Sequence, residues 1–301
     1  MNSDILTGAV DLGGTTIKVG LFQGNRVLGT RQLPAQAKGT LAAKLGIVET
    51  TLRGLSASHG RLDGVAMAYP GLVDVKQNRV LSASGKFLDA TELDLATWSR
   101  DTFGVPFLLE NDSNAALFGE YRRGCCQGCD NTALFILGTG VGTAALMNGR
   151  LVRGVHYQAG VLGGHFKTGG GDTPCSCGKR GCLEAQVGSW CLDRLSGGQF
   201  DGFESLTTAS RAGDAEARRL LDQITRQWAR GLATLVHAYD PEVVVFSGGV
   251  LKGRDQFLDS LEQQVRHLCW TPWGQLEFRV SATPDQSVLL GLHALMEEKL
   301  T

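Results

Sequence analysis

Two stretches of the chain repeat one pattern, AVDLGGTTIKVGLFQGNRVLG at residues 9 to 29 and LFILGTGVGTAALMNGRLVRG at residues 134 to 154. Each is an apolar run, a Gly/Thr-rich turn, a second apolar run and a hairpin turn, Gly24-Asn25 or Asn148-Gly149, leading into a third strand. A duplicated three-strand unit predicts two similarly built halves, each opening with a glycine-tipped hairpin that faces a shared cleft. With 301 residues there is length for two such domains, each with its own core.

Helical and strand patterns alternate after each repeat. In the first half the sequence predicts helices over about 40 to 58 and 93 to 103, and strands over 64 to 68 and 105 to 109. In the second, residues 215 to 238 place Leu220, Leu221, Ile224, Trp228, Leu232 and Leu235 near a 3.6-residue period, ahead of a β-branched strand at 243 to 246. A last helix spans about 287 to 300. Both halves are therefore α/β. The division is expected within residues 112 to 130, giving domains 1-115 and 116-286.

Charge and composition exclude several function classes. Hydrophobic residues make up 43% and charged residues 20%, with a formal net charge of -1, so nothing favours nucleic acid or an anionic membrane as partner. The N-terminal MNSDILTGAVDLGG lacks a basic, apolar leader, and no segment approaches the roughly 20 apolar residues that cross a bilayer. The chain is read as cytoplasmic, where eight cysteines point to metal binding or burial before disulfides.

The glycine turns suit phosphate. Asp11-Leu12-Gly13-Gly14-Thr15-Thr16 and Leu137-Gly138-Thr139-Gly140-Val141-Gly142-Thr143 each join two strands, where the missing Cβ lets backbone N–H groups approach oxyanions. Neither matches GxxxxGK[ST] or the strand-to-helix dinucleotide fingerprint. A third turn, Phe246-Ser247-Gly248-Gly249-Val250, either accommodates a purine or simply joins a strand to a helix.

DLGGTTIKVG, YPGLVD, ENDSNAALFGE, LGTGVG, PCSCGKRGCLE and FSGGV, in that order across nearly the whole chain, resemble the ROK family of sugar kinases and sugar-responsive repressors. The resemblance implies an actin-like ATPase fold of two ribonuclease-H-like domains, with ATP and a sugar in the cleft between them. It implies that Asp11, Gly13, Gly14, Thr15, Thr16, Gly138, Thr139 and Gly140 serve ATP, Mg²⁺ and the phosphates, and that Gly248 and Gly249 contact the nucleoside. The 287-301 helix is expected to pack back on the first domain. Relatives are often homodimers.

Phosphoryl transfer to a hydroxyl needs a carboxylate to take its proton. By position Asp112 reads as an N-cap for the helix that follows; the resemblance makes it the general base and Asn111 a sugar ligand. Cys175, Cys177 and Cys182 form C-x-C-x₄-C, one ligand short of tetrahedral zinc, and His165 is the nearest histidine. Three thiolates and an imidazole close the shell, so this Zn²⁺ is structural, as the family also binds it. Cys175 and Cys177 do not have redox CxxC spacing. Cys125, Cys126 and Cys129 are assigned to burial or a loop, and Cys191 and Cys269 to the core. The resemblance adds Glu184 and His165 as sugar ligands.

Two departures stand out. Relatives write AGExGH before the zinc histidine, whereas this chain has Ala159-Gly160-Val161-Leu162-Gly163-Gly164-His165, so an apolar residue replaces a sugar-gripping glutamate. Where many members carry Asn-Leu-Pro-Gly-Trp, this chain reads Ser82-Ala83-Ser84-Gly85-Lys86-Phe87-Leu88; Lys86 is read as an exposed loop lysine, or else as a contact for an acidic or otherwise altered sugar. The expected function is ATP-dependent phosphorylation of a free hexose or N-acetylhexosamine. The alternatives are a sugar sensor, for which no helix-turn-helix precedes Asp11, and a catalytically weakened sugar-binding protein.

Overall fold

The computed structural model describes residues 4–35, 39–83, 85–169 and 171–301. They form two compact units, the first comprising Met1–Gln127, Arg153–Gln158 and Asp285–Thr301, the second Gly128–Val152 and Ala159–Pro284.

The first unit opens with β1 (Leu6–Leu12), β2 (Thr16–Gln23) and β3 (Arg26–Pro34), the antiparallel meander that the repeat predicts. Then come α1 (Ala42–Ser56), β4 (Gly64–Tyr69), the small ribbon β5 (Leu72–Asp74) and β6 (Arg79–Ser82), α2 (Leu95–Phe103), β7 (Phe107–Asn111) and α3 (Asp112–Arg123). The sheet order is β3-β2-β1-β4-β7, with β1, β4 and β7 parallel. Local chemistry sets the ends of α2: the Asp94 carboxylate accepts from Thr97 N at 2.9 Å, and Gly104 adopts φ 68° at the C-cap.

The second unit repeats the plan with β8 (Thr132–Leu137), β9 (Val141–Met147) and β10 (Arg150–Leu151), then α4 (Glu184–Val187), α5 (Leu192–Leu195), α6 (Phe203–Arg211), α7 (Ala215–Tyr239), β11 (Val243–Ser247), α8 (Leu258–Leu268) and β12 (Glu277–Val280). Its order, β10-β9-β8-β11-β12, is topologically the same, with β8, β11 and β12 parallel. Each unit is thus a ribonuclease-H-like half of an actin-like ATPase fold. Asp214 caps α7 by accepting from Ala217 N, and Leu220, Ile224, Trp228, Leu232 and Leu235 are buried along one stripe.

α9 (Ser287–Leu300) belongs to the first unit, where Leu289, Leu292 and Met296 pack on Ala9, Phe22, Ala66, Ala68 and Ala115. Burying each of those three side chains contributes about 1.5 to 3 kcal/mol. The sequence places the domain division after residue 115; the compact first unit runs on to Gln127, because α3 lies against α9.

Candidate active site

In the first unit the parallel register pairs Asp11 with Ala68, Ala68 with Glu110 and Tyr69 with Asn111. The carboxyl ends of β1, β4 and β7 therefore lie side by side, the place where α/β sheets bind ligands. β7 runs straight into α3, so Asp112 stands at the first helical position.

The helix cap is not Asp112, the residue that position alone favours. Asn111 has extended backbone, φ −69° and ψ 144°, and its Oδ1 accepts from Ser113 N at 3.0 Å and Asn114 N at 3.1 Å. Its Nδ2 donates to Gly71 O at 3.0 Å. Among the described residues Asp112 makes local bonds, its Oδ1 accepting from Ser113 N at 2.8 Å and from Ser113 Oγ at 3.4 Å. With the cap supplied by its neighbour, the Asp112 carboxyl does not serve as the helix cap.

Burial raises the Asp112 carboxyl above its ordinary range, against the helix N–H groups and the charge of Lys86. Asp11 is pushed up to about 7, by burial first and by the charge of Asp112 second, while Lys18 and Lys86 oppose the rise. Lys18 is paired at 3.0 Å with Asp285.

The turn after β1 needs its glycines for close approach. A Cβ at Gly13 would lie 2.5 Å from Thr16 O, and one at Gly14 would lie 2.9 Å from Lys86 Cε and 3.2 Å from its Nζ. Thr15 O accepts from Ala35 N at 2.9 Å. Lys86 is thus not an exposed loop lysine: it is half-buried and lies across the turn. Ser84 of the same loop, and Gly170 of the loop after His165, lie outside the described residues.

Glu110 escaped the sequence reading. It is 2% exposed and accepts from Asn111 N at 2.9 Å, Asn114 Nδ2 at 3.0 Å and Arg153 Nε at 3.1 Å. The buried Glu110, paired with the partly exposed Arg153, ties the strand-to-helix junction through Asn111 and Asn114. Its only sequence signal is a glutamate inside an otherwise apolar strand.

In the second unit Ser247 of β11 pairs with Ile136 of β8, which sets the turn at Gly138–Gly140 beside that at Gly248–Gly249. Gly248 has φ +103°, and a Cβ there would overlap Leu137 O. Gly138 N donates to Gly140 O at 3.1 Å, while Trp190 N donates to Thr139 O at 3.3 Å. Glu184, at the start of α4, faces this turn: Val141 N donates to its Oε2 at 3.3 Å and Ser176 Oγ to its Oε1 at 3.1 Å. A side chain at Gly140 would overlap that carboxylate.

The cysteine knuckle holds Glu184. Cys175 N donates to Lys179 O at 2.8 Å and Gly178 N to Cys175 O at 3.0 Å, closing a tight turn with Gly178 at φ 78°. His165, Cys175, Cys177 and Cys182 bring their ligand atoms within 4.8 Å of one another. Cys177 Sγ lies 3.7 Å from Cys182 Sγ, and Cys175 Sγ lies 3.7 Å from His165 Nδ1. A zinc tetrahedron with Zn–S of about 2.3 Å has edges of about 3.8 Å, so the donor set fits. Cys125, Cys126 and Cys129 do not join it; Cys191 and Cys269 are buried, as expected.

A model of the ROK family matches residues 7–299. The chain is 29% identical to a glucokinase of Halalkalibacterium halodurans over 94% of this chain and 92% of that protein. It is similar to the crystal structure of a ROK hexokinase from Thermus thermophilus, with TM-score 0.83, 30% identity and coverage of 98% and 99% of the two chains. It is similar also to a ROK family glucokinase from Streptomyces griseus in complex with glucose and AMPPNP, with TM-score 0.81, 28% identity and coverage of 96% and 98%.

Proposed function

The chain belongs to the ROK family, and from that membership we propose that it is an ATP-dependent kinase that phosphorylates a hydroxyl of a free hexose or N-acetylhexosamine, with Asp112 as general base. The observation that carries the reading is the Asp112 carboxyl, freed from capping by Asn111 and raised by burial beside Asp11. As the sugar oxygen forms its bond to the γ-phosphorus, its proton passes to Asp112, and the bond to the β-phosphate oxygen breaks with its electrons leaving on ADP.

The remaining roles follow the motifs. Gly13, Gly14, Thr15, Thr16, Gly138, Thr139 and Gly140 bind phosphates, and Gly248 and Gly249 the nucleoside. Asn111, Glu184 and His165 hold sugar hydroxyls; Ser176 Oγ and Val141 N fix the Glu184 carboxylate in one orientation, which supports that role. Asp11 would help hold Mg²⁺: two buried carboxyls, with Lys18 already paired to Asp285, suit a divalent cation. Mg²⁺, when bound with ATP, offsets the charge that develops on the phosphate oxygens. His165, Cys175, Cys177 and Cys182 hold a structural Zn²⁺. The reaction belongs in the cytoplasm, where ATP and reduced thiols coexist. Val161 and Leu162 offer no carboxylate, which favours a sugar different from that of relatives with AGExGH; an unpaired hydroxyl costs about 1 to 3 kcal/mol.

A coupled ADP-release assay over a panel of free sugars tests this. Turnover is expected with at least one sugar, and Asp112→Asn is expected to lower kcat by about 100-fold or more without changing the melting temperature. ATP binding without turnover of any sugar would overturn the kinase reading.

A further inference from the structure

Lys86 carries its ammonium across the Gly13-Gly14 turn. It is half-buried, yet among the described residues its Nζ makes no hydrogen bond and no ion pair. The loop that carries it is firmly seated: Tyr69, fully buried, donates its hydroxyl to Lys86 O at 2.8 Å. Phe87, also buried, holds a left-handed backbone at φ 47°, a conformation that a non-glycine residue keeps only when its surroundings impose it. The result is a side chain laid across the glycine turn, its end against Gly14.

That turn offers backbone N–H groups to an oxyanion, and Lys86 adds a mobile point charge above it. Its charge is felt at both Asp11 and Asp112, though it bridges neither. Lys18, the other nearby cation, is already paired with Asp285. A half-buried donor with no acceptor among the described residues, set between the Gly13-Gly14 turn and Asp112, suits the phosphoryl group in transit.

We propose that Lys86 binds the transferring phosphoryl group, holding its oxygens against the Gly13-Gly14 turn and in line with the sugar hydroxyl that Asp112 deprotonates. The inference rests on the kinase reading and deepens it. Lys86 acts on charge that grows in the transition state, so its removal falls on kcat rather than on sugar affinity.

The test compares wild type with Lys86→Met and Lys86→Gln, and with Lys86→Arg, which keeps the charge. Both neutral variants are expected to lose about 100-fold in kcat, with KM for a neutral sugar within about threefold. Lys86→Arg is expected to stay within about tenfold of wild type. Wild type is expected to form a tight complex with ADP, sugar and fluoroaluminate, a mimic of the transferring group, and the neutral variants are expected to lose it while binding ADP alone unchanged. Retained kcat, or a raised KM for an anionic sugar with kcat retained, overturns the assignment; the second result makes Lys86 a sugar ligand. Loss of ADP binding together with a lowered melting temperature in both neutral variants also overturns it, in favour of a structural role. A wild type that turns over no sugar overturns the kinase reading itself, whereas an active wild type with unimpaired neutral variants overturns this inference alone.

Discussion

Asp11 titrates near neutrality in the folded chain and near 3.8 when unfolded, so it ties stability to pH. Between those values the folded state holds a proton that the unfolded state has released. Stability from this group is therefore full below the unfolded value and is lost as pH rises through about 7. Asp11→Asn removes the titration. In ligand-free protein its gain in melting temperature over wild type is expected to be larger at pH 8 than at pH 5, with turnover lost; an equal gain at both would refute the raised carboxyl. The pairing of Asn111 with Asp112 shows what sequence holds at this scale. ENDSN announces a helix start, but which residue caps depends on which one has extended backbone, and that is set by how far β7 runs. Lys86 was less legible still: nothing local to a lysine in a loop records that the loop folds onto a turn some seventy residues earlier.

In the cysteine knuckle the residues that the sequence singles out lie together in the structure. C-x-C-x₄-C with His165 supplies four donors with edges that suit zinc. Purified without chelator, the protein is expected to contain about one zinc per chain, and stripping the metal is expected to lower the melting temperature and raise KM for sugar, because Glu184 opens the helix that follows Cys182. Metal analysis showing no zinc, with the cysteines and His165 intact, would count against the closed site. Gly140 gives the element a second contact, since a side chain there would displace the Glu184 carboxylate from its place beside the turn. Spacing alone could not show that Glu184 lies against the Gly138–Gly140 turn, because that proximity comes from how α4 sits beside the start of β9.

At the scale of the molecule, the duplication was legible because two glycine-tipped hairpins repeat in one frame, and the two sheet orders are the same. The membership of residues 153–158 in the first unit was not, since no pattern marks them; Arg153 belongs there through its bond to buried Glu110. The crossing of α3 with α9 depends on glycine as well: a Cβ at Gly291 would overlap Ala115 O, and one at Gly119 would overlap Ser287 O. Backbone cannot yield as a side-chain tip can, so Gly291→Ala is expected to cost about 3 kcal/mol or more. It should also lower kcat, because α3 begins at Asp112; a variant with wild-type stability would refute the tight crossing. The same helix sets a schedule. β1 to α3 leave the ribosome well before α9, which follows only after Pro284, a wait of about 10 to 30 s at ordinary elongation rates. Throughout that interval the sheet face of Ala9, Phe22, Ala66 and Ala68 lacks the cover of Leu289, Leu292 and Met296, which leaves apolar surface of the nascent first unit open to chaperone capture.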